Sequence, residues 1–187
     1  MPRLPRPVLD GLGVVARLGL AAVFLVAGAV KVVDPAQTQI AVRAYEMVPP
    51  DLVGPVATAL PLVELVLGTL LVAGAFTRWT AFASAVLLVV LMLGVAQAWA
   101  RGLSIDCGCF GGGGAVAQGS TRYPQELARD FGALLLALWL LVRPRTALSV
   151  DGWMGAGQGA LRLDQDTQHQ DTQHQDTQRS RAGHSAD

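Results

Sequence analysis

From Val14 to Val33 the chain runs for twenty residues that are apolar or small except for Arg17 and Lys31. Wound into a helix, that length covers about 30 Å, the thickness of a bilayer's hydrocarbon core. Apolar runs recur at 53–76, 80–98 and, more briefly, 127–143, where Phe131–Val142 is the uninterrupted part. Composition agrees, with 52% hydrophobic and 15% charged residues. A soluble domain carries about a quarter charged residues. The pattern predicts an all-α polytopic membrane protein, a four-transmembrane-helix bundle over 11–145. An irregular lead-in over 1–10 precedes it and a disordered tail over 146–187 follows. Ala27-Gly28-Ala29 would suit a signal-peptide cleavage site. The apolar run continues past it to Val33 and further spans follow, which favours a retained helix. Formal net charge is zero, so nothing electrostatic supports a nucleic-acid partner.

Charges inside such runs carry information, because they are costly in lipid and turn toward a protein interior. Arg17, Ala21, Phe24, Gly28 and Lys31 share one helical stripe, and small residues there mark a helix contact. Snorkelling from near the span ends is the simpler account of the two cations. Glu64 stands near the middle of the second run, on a face with Ala57, Pro61, Gly68 and Ala75. An acid at a span centre costs roughly 2.5–3.5 kcal/mol, so it should face the bundle. With the outer helix ends taken as flush, Glu64 lies about 16 Å deep and Arg17 about 24 Å deep. This predicts a Glu64–Arg17 ion pair, structural in role, with Lys31 nearer the surface.

Between the spans, Asp34-Pro35 reads as N-cap and first helical residue. They open a short amphipathic helix at the membrane interface, which Pro49-Pro50 stops. Trp79 and Trp99 bracket the third span as interfacial anchors. Past Asp151 the chain changes character, and Gln165–Arg179 is the pentad repeat QDTQH-QDTQH-QDTQR. With nothing to bury, it reads as disordered. The spacing of His169 and His174 does not stack them on a helix face, which argues against a metal site there.

The loop 99–126 is longer than a helical hairpin needs, and loops of that length tend to carry function. It holds the chain's two cysteines in R-G-L-S-I-D-C-G-C-F-G-G-G-G, residues 101–114. A bridge between Cys107 and Cys109 needs the turn that Gly108 permits. The ring is so small that by chain entropy it stabilises by only about 1.5 kcal/mol. It is therefore a poor staple, and strained, exposed disulfides are the exchangeable ones. The pair reads as a thiol–disulfide exchange site acting on a partner protein or a membrane electron carrier. Two inert thiols, or a two-coordinate site for a soft ion such as Cu(I), are the alternatives. No zinc centre is expected, since only Asp106 stands nearby as a further ligand. Arg101 would favour the thiolate and Asp106 oppose it.

Four spans place both termini on one side. Basic residues near the span ends divide five against five, so the positive-inside rule does not decide the orientation. A cycling dithiol belongs where disulfides persist, outside the cytosol. The expected arrangement is a multi-pass plasma-membrane protein with the cysteine loop extracytoplasmic and both termini cytoplasmic.

Several stretches together resemble the MauE branch of the DoxX-like membrane proteins, the methylamine-utilisation accessory proteins. They are G-A-V-K-V-V-D-P (28–35) with Tyr45 and Pro49 following, L-P-L-V-E-L-V-L-G (60–68), C-G-C-F-G within 101–111, and A-R-D (128–130) opening the last apolar helix. The resemblance covers roughly 11–145 and implies a four-helix integral membrane protein. Its layout is also similar to quinone-linked disulfide oxidoreductases of the DsbB and VKOR type. It further implies help in processing, transport or maturation of the disulfide-rich methylamine dehydrogenase small subunit. The expected function is a membrane accessory protein that exchanges disulfides through Cys107 and Cys109 during maturation of exported proteins. Its expected partners are the bilayer and either an exported client or a soluble thiol oxidoreductase, with a membrane quinone as electron acceptor. The rival is a non-enzymatic scaffold that recruits a soluble thiol enzyme.

Overall fold

A computed structural model describes residues 6–108, 112–117 and 120–143, with backbone alone for 6–9. The QDTQH repeats, His169, His174 and the tail expected over 146–187 lie outside the described residues. So does Cys109.

Five helices and one two-stranded ribbon make up the described chain. Helix α1 spans Arg6–Val33, α2 Pro35–Ala44, α3 Val53–Ala73, α4 Thr77–Ala100 and α5 Tyr123–Val142. Strands β1 (Ile105–Asp106) and β2 (Gly114–Ala115) pair antiparallel within the loop before α5. Helix α1 starts well before Val14 and takes in half of the expected lead-in. Pro7 falls in its first turn, where a missing N–H leaves no bond unmade. Asp34 caps α2 as its sequence predicts, accepting from the Gln37 N–H at 2.9 Å. Gly74, at φ 65°, ends α3 in the left-handed conformation.

Helices α1, α3 and α4 are each long and apolar enough to cross a membrane. Trp79 and Trp99, both exposed, sit about 30 Å apart along α4 at 1.5 Å per residue, a spacing that suits the two interfaces. Helix α5 has 20 residues. Its first two turns carry Glu126, Arg129 and Asp130, and its apolar stretch is Phe131–Val142. The bundle is an all-α membrane fold.

Helix α1 packs along α3, α4 along α5, and α1 against α5 joins the two pairs. Helices α3 and α4, although consecutive, touch far less. The chain's long loop and α2 lie at one end of the bundle, with Val33, Val53, Ala100 and Tyr123. We call this the loop end. Two clusters of buried residues result. One, around Leu20, Phe24, Leu71, Leu88 and Leu140, fills the bundle. The other, Val95, Ala98, Ile105, Cys107 and Tyr123, lies beneath the loop.

Glycines set the register of α1 on α3. A Cβ on Gly68 would stand 2.7 Å from Leu25 Cγ, and one on Gly28 would stand 2.9 Å from Leu65 Cγ and 3.0 Å from the Pro61 carbonyl oxygen. These distances leave no room for a methyl group, so the two backbones approach closely.

Candidate functional site

The loop end is built around Cys107, whose side chain is 8% exposed. Tyr123, at the start of α5, holds the strand before it. Its hydroxyl donates to the Leu103 carbonyl at 2.6 Å and accepts from the Ile105 N–H at 3.2 Å. The Trp99 ring stacks on Tyr123, with centroids 6.2 Å apart. The ribbon continues the hold, pairing Ile105 with Ala115, and the Val116 N–H reaches the Ser104 carbonyl at 2.8 Å. From α2, the Tyr45 hydroxyl donates to the Cys107 carbonyl at 3.3 Å.

The glycines after Cys107 rest directly on α2. Gly108 takes φ 67°, the left-handed turn expected of it, and a Cβ there would lie 2.8 Å from Ala41 Cβ. At Gly113, φ is 106° and the same clash would close to 2.5 Å. Gln37 secures this contact by donating from Nε2 to the Gly113 carbonyl at 2.6 Å. Both positions demand glycine twice over, by backbone angle and by space. The polyglycine run is thus a packing surface for α2 where it is described.

Glu126, in the first turn of α5 and ahead of its apolar stretch, meets Cys107 from below. Its carboxylate accepts from both the backbone N–H and the thiol of Cys107. Burial raises the Glu126 pKa above its ordinary value, while the two Cys107 hydrogen bonds oppose the rise. The negative charge of Asp106 pushes in the same direction as burial, and Arg129 opposes it. One ligand atom from each of Asp106, Cys107 and Glu126 lies within 4.8 Å of the others. The expectation that only Asp106 would stand near the cysteines as a further ligand is thereby corrected, since α5 brings Glu126 to the same place. Three donors are one short of a closed tetrahedral zinc set and equal the protein ligands of an open one. Chemically, the arrangement gives a thiol a carboxylate already placed to take its proton.

The second site lies inside the bundle. Lys31 Nζ stands 2.7 and 2.8 Å from the two carboxylate oxygens of Glu64. Both side chains are buried, at 7% and 1% exposure. The Glu64–Arg17 pairing expected from sequence is thereby corrected: the partner is Lys31. The flush-end assumption was at fault. With Leu25 on Gly68 and Gly28 on Pro61 and Leu65, α1 ends several residues short of the start of α3. One turn beyond Gly28, Lys31 therefore arrives opposite Glu64. Arg17 is buried too, but it lies about 12 Å from Leu25 along α1, toward the opposite end.

Three cavities converge on Lys31. One of about 370 Å³ lies between α1, α2 and the cysteine loop and is lined by Asp34, Gln37, Thr38 and Gly108. A second, of about 200 Å³, reaches Cys107 and runs out between α2, α3 and α4. A third, of about 160 Å³, opens between α1, α2 and α3 near Pro61.

Of the residues singled out from sequence, Cys107 lies at the loop end and Glu64 in the bundle wall beneath it. Arg17 belongs to the far half. Sequence reading missed Glu126 and the tyrosines Tyr45 and Tyr123 as groups that hold the cysteine. A faint signal exists for Glu126: it is an acid in the opening turn of a helix that leaves a cysteine loop.

No curated protein and no solved structure matches this chain. The family model of methylamine utilisation protein MauE matches residues 9–143. That match takes in α2 to α5, α1 from its fourth residue on, and both cysteine-loop strands, and the chain belongs to the MauE family of methylamine utilisation membrane proteins.

Proposed function

We propose that this protein is a thiol–disulfide exchange factor for exported proteins, with Cys107 and Cys109 as its redox pair. The client we propose, from the family resemblance, is of the methylamine dehydrogenase small-subunit type. The observation that carries the reading is the Cys107 thiol hydrogen-bonded to the buried Glu126 carboxylate. The thiolate is the attacking form in exchange, and Glu126 is the group placed to accept its proton. In the oxidising direction the Cys107–Cys109 disulfide takes two electrons from a client dithiol. The client leaves with a disulfide and the pair as two thiols. The loop end would face the extracytoplasmic side of the plasma membrane, where client disulfides persist.

Acid trapping of cells followed by mass-tagging of free thiols tests this. Wild type should be partly oxidised, and Cys107→Ser or Cys109→Ser should accumulate mixed disulfides with a client. Thiols that stay fully reduced under every oxidant would remove the exchange reading. A membrane-impermeant reagent in the same assay reports the side of the loop.

A further inference from the structure

Glu126 meets Cys107 with one carboxylate oxygen and has a second to spare. Its Oε2 has no hydrogen-bond partner, although the side chain is only 7% exposed, so the bonds from Cys107 end on Oε1. A buried carboxylate oxygen without a donor is destabilising, and a cation beside it satisfies it. One donor atom each from Asp106, Cys107 and Glu126 already lies within 4.8 Å of the other two. We propose that these three residues bind a Zn²⁺ ion, which holds Cys107 as a metal-bound thiolate. The site needs neither Cys109 nor the exchange reading.

The donor set selects the ion. One sulfur and two carboxylates suit a borderline cation. Cu(I) favours sulfur over carboxylate, and Mg²⁺ and Ca²⁺ take oxygen ligands throughout. Open zinc sites have three protein ligands and leave the fourth position to water or an incoming group. Zinc–oxygen bonds of about 2.0–2.2 Å and a zinc–sulfur bond of about 2.3 Å draw the three side chains inward by about an ångström. Three anionic ligands exceed the charge of Zn²⁺ by one, and the positive charge of Arg129, which acts on Glu126, offsets the excess.

The ligands are held before an ion arrives. Asp106 lies in β1, paired with Gly114 of β2. Tyr45 donates to the Cys107 carbonyl, and Tyr123 ties the strand before it to the first turn of α5, where Glu126 sits. Such outer contacts orient metal ligands and raise affinity. Asp106 is only half-buried, which gives the ion a way in from the loop surface. As the sulfur–zinc bond forms, the Cys107 proton goes to solvent and no oxidation state changes. A sulfur committed to the ion cannot attack a disulfide, so the metal acts as a brake wherever Cys107 serves in exchange.

The test uses the full-length protein in lipid nanodiscs with Cys109→Ser, which leaves Cys107 as the single thiol of the chain. Co²⁺ serves as the spectroscopic substitute for Zn²⁺. A sulfur-to-cobalt charge-transfer band should rise to a plateau at one ion per chain and vanish when Zn²⁺ is added. Zn²⁺ at about ten times its Kd should slow maleimide modification of Cys107 about tenfold, and a chelator should restore the rate. Losing even an outer contact of a metal ligand costs about 10–100-fold in affinity. Asp106→Asn and Glu126→Gln, each close to the native shape, should therefore weaken binding about a hundredfold or more. The cobalt band and the maleimide rate are read with both carboxylates present, so they decide the matter even if a variant misfolds. An absent band overturns the site. So does Cys107 that stays open to maleimide while Zn²⁺ binds elsewhere, at His169 and His174 for example, or binding that ignores both carboxylate variants. Exchange of the wild type with glutathione disulfide, run in chelator, tests the exchange function by itself. Either result can fail without the other.

Discussion

Lys31 and Glu64 meet through both carboxylate oxygens, at 2.7 and 2.8 Å, from helices whose loop ends are offset. Lys31, held in place by Glu64, lines all three cavities described at that end. Buried ion pairs are weak evidence for stability in themselves, but breaking one is expensive because a buried charge is left alone. Lys31→Met should therefore destabilise the protein by about 3–5 kcal/mol, and Lys31→Met with Glu64→Leu should recover most of that loss. Denaturant unfolding in mixed micelles reads both. Coupling in a double-mutant cycle should appear for Lys31 with Glu64 and be near zero for Arg17 with Glu64. Strong Arg17 coupling would contradict the register described here.

The α1–α3 contact makes a second prediction about small side chains. Gly28→Ala and Gly68→Ala place a methyl where 2.7–3.0 Å is available, which should cost about 1–3 kcal/mol each. Gly132→Ala in α5 meets nothing within 4 Å and should instead stabilise by about 0.5–1 kcal/mol, since glycine is a poor helix former. Opposite signs at chemically identical substitutions are the outcome to look for in thermal melts.

Tyr123 joins the strand before Cys107 to the start of α5 through one hydroxyl that both donates and accepts. Tyr123→Phe removes it and leaves a buried carbonyl and N–H short of a partner, at about 1–3 kcal/mol. The cost falls on local opening of the loop. In a Cys109→Ser background, maleimide should then modify Cys107 about tenfold faster or more, following the opening equilibrium. An unchanged rate would mean that the ribbon, and not Tyr123, keeps the thiol covered.

Glu126 predicts a pH dependence with a definite sign. Burial raises its pKa in the folded state, so the folded loop favours the protonated form more than the unfolded chain does. The resulting stability is complete below the ordinary carboxylate range and is lost as pH rises through the raised value. Hydrogen exchange of the Ile105–Gly108 amides should quicken across that window beyond its intrinsic pH trend. Glu126→Gln, neutral throughout, should abolish the extra dependence. A wild type that follows the intrinsic trend alone would show that the Cys107 hydrogen bonds cancel the effect of burial.

Much of this arrangement is legible in the chain itself. Apolar runs of bilayer length determine α1, α3 and α4, because hydrocarbon leaves a backbone no partner but its own helix. Asp34-Pro35 determines the start of α2, and the cysteine spacing marks the loop. Glu64 announces itself as inward-facing, since an acid at mid-span is too costly in lipid. What the sequence could not rank was partners. Arg17 and Lys31 lie on one stripe of α1 and differ only in depth, and depth depends on the offset between two helices. That offset comes from glycines meeting Leu25, Leu65 and Pro61 across an interface, a contact absent from either segment alone. The same holds at the loop end. Cys107 and Glu126 are 19 residues apart in the chain, and only the ribbon, Tyr123 and the packing of Gly108 and Gly113 on Ala41 bring thiol and carboxylate together. Local composition decides which segments enter the membrane. Steric fit between segments decides which charges and which thiol they enclose.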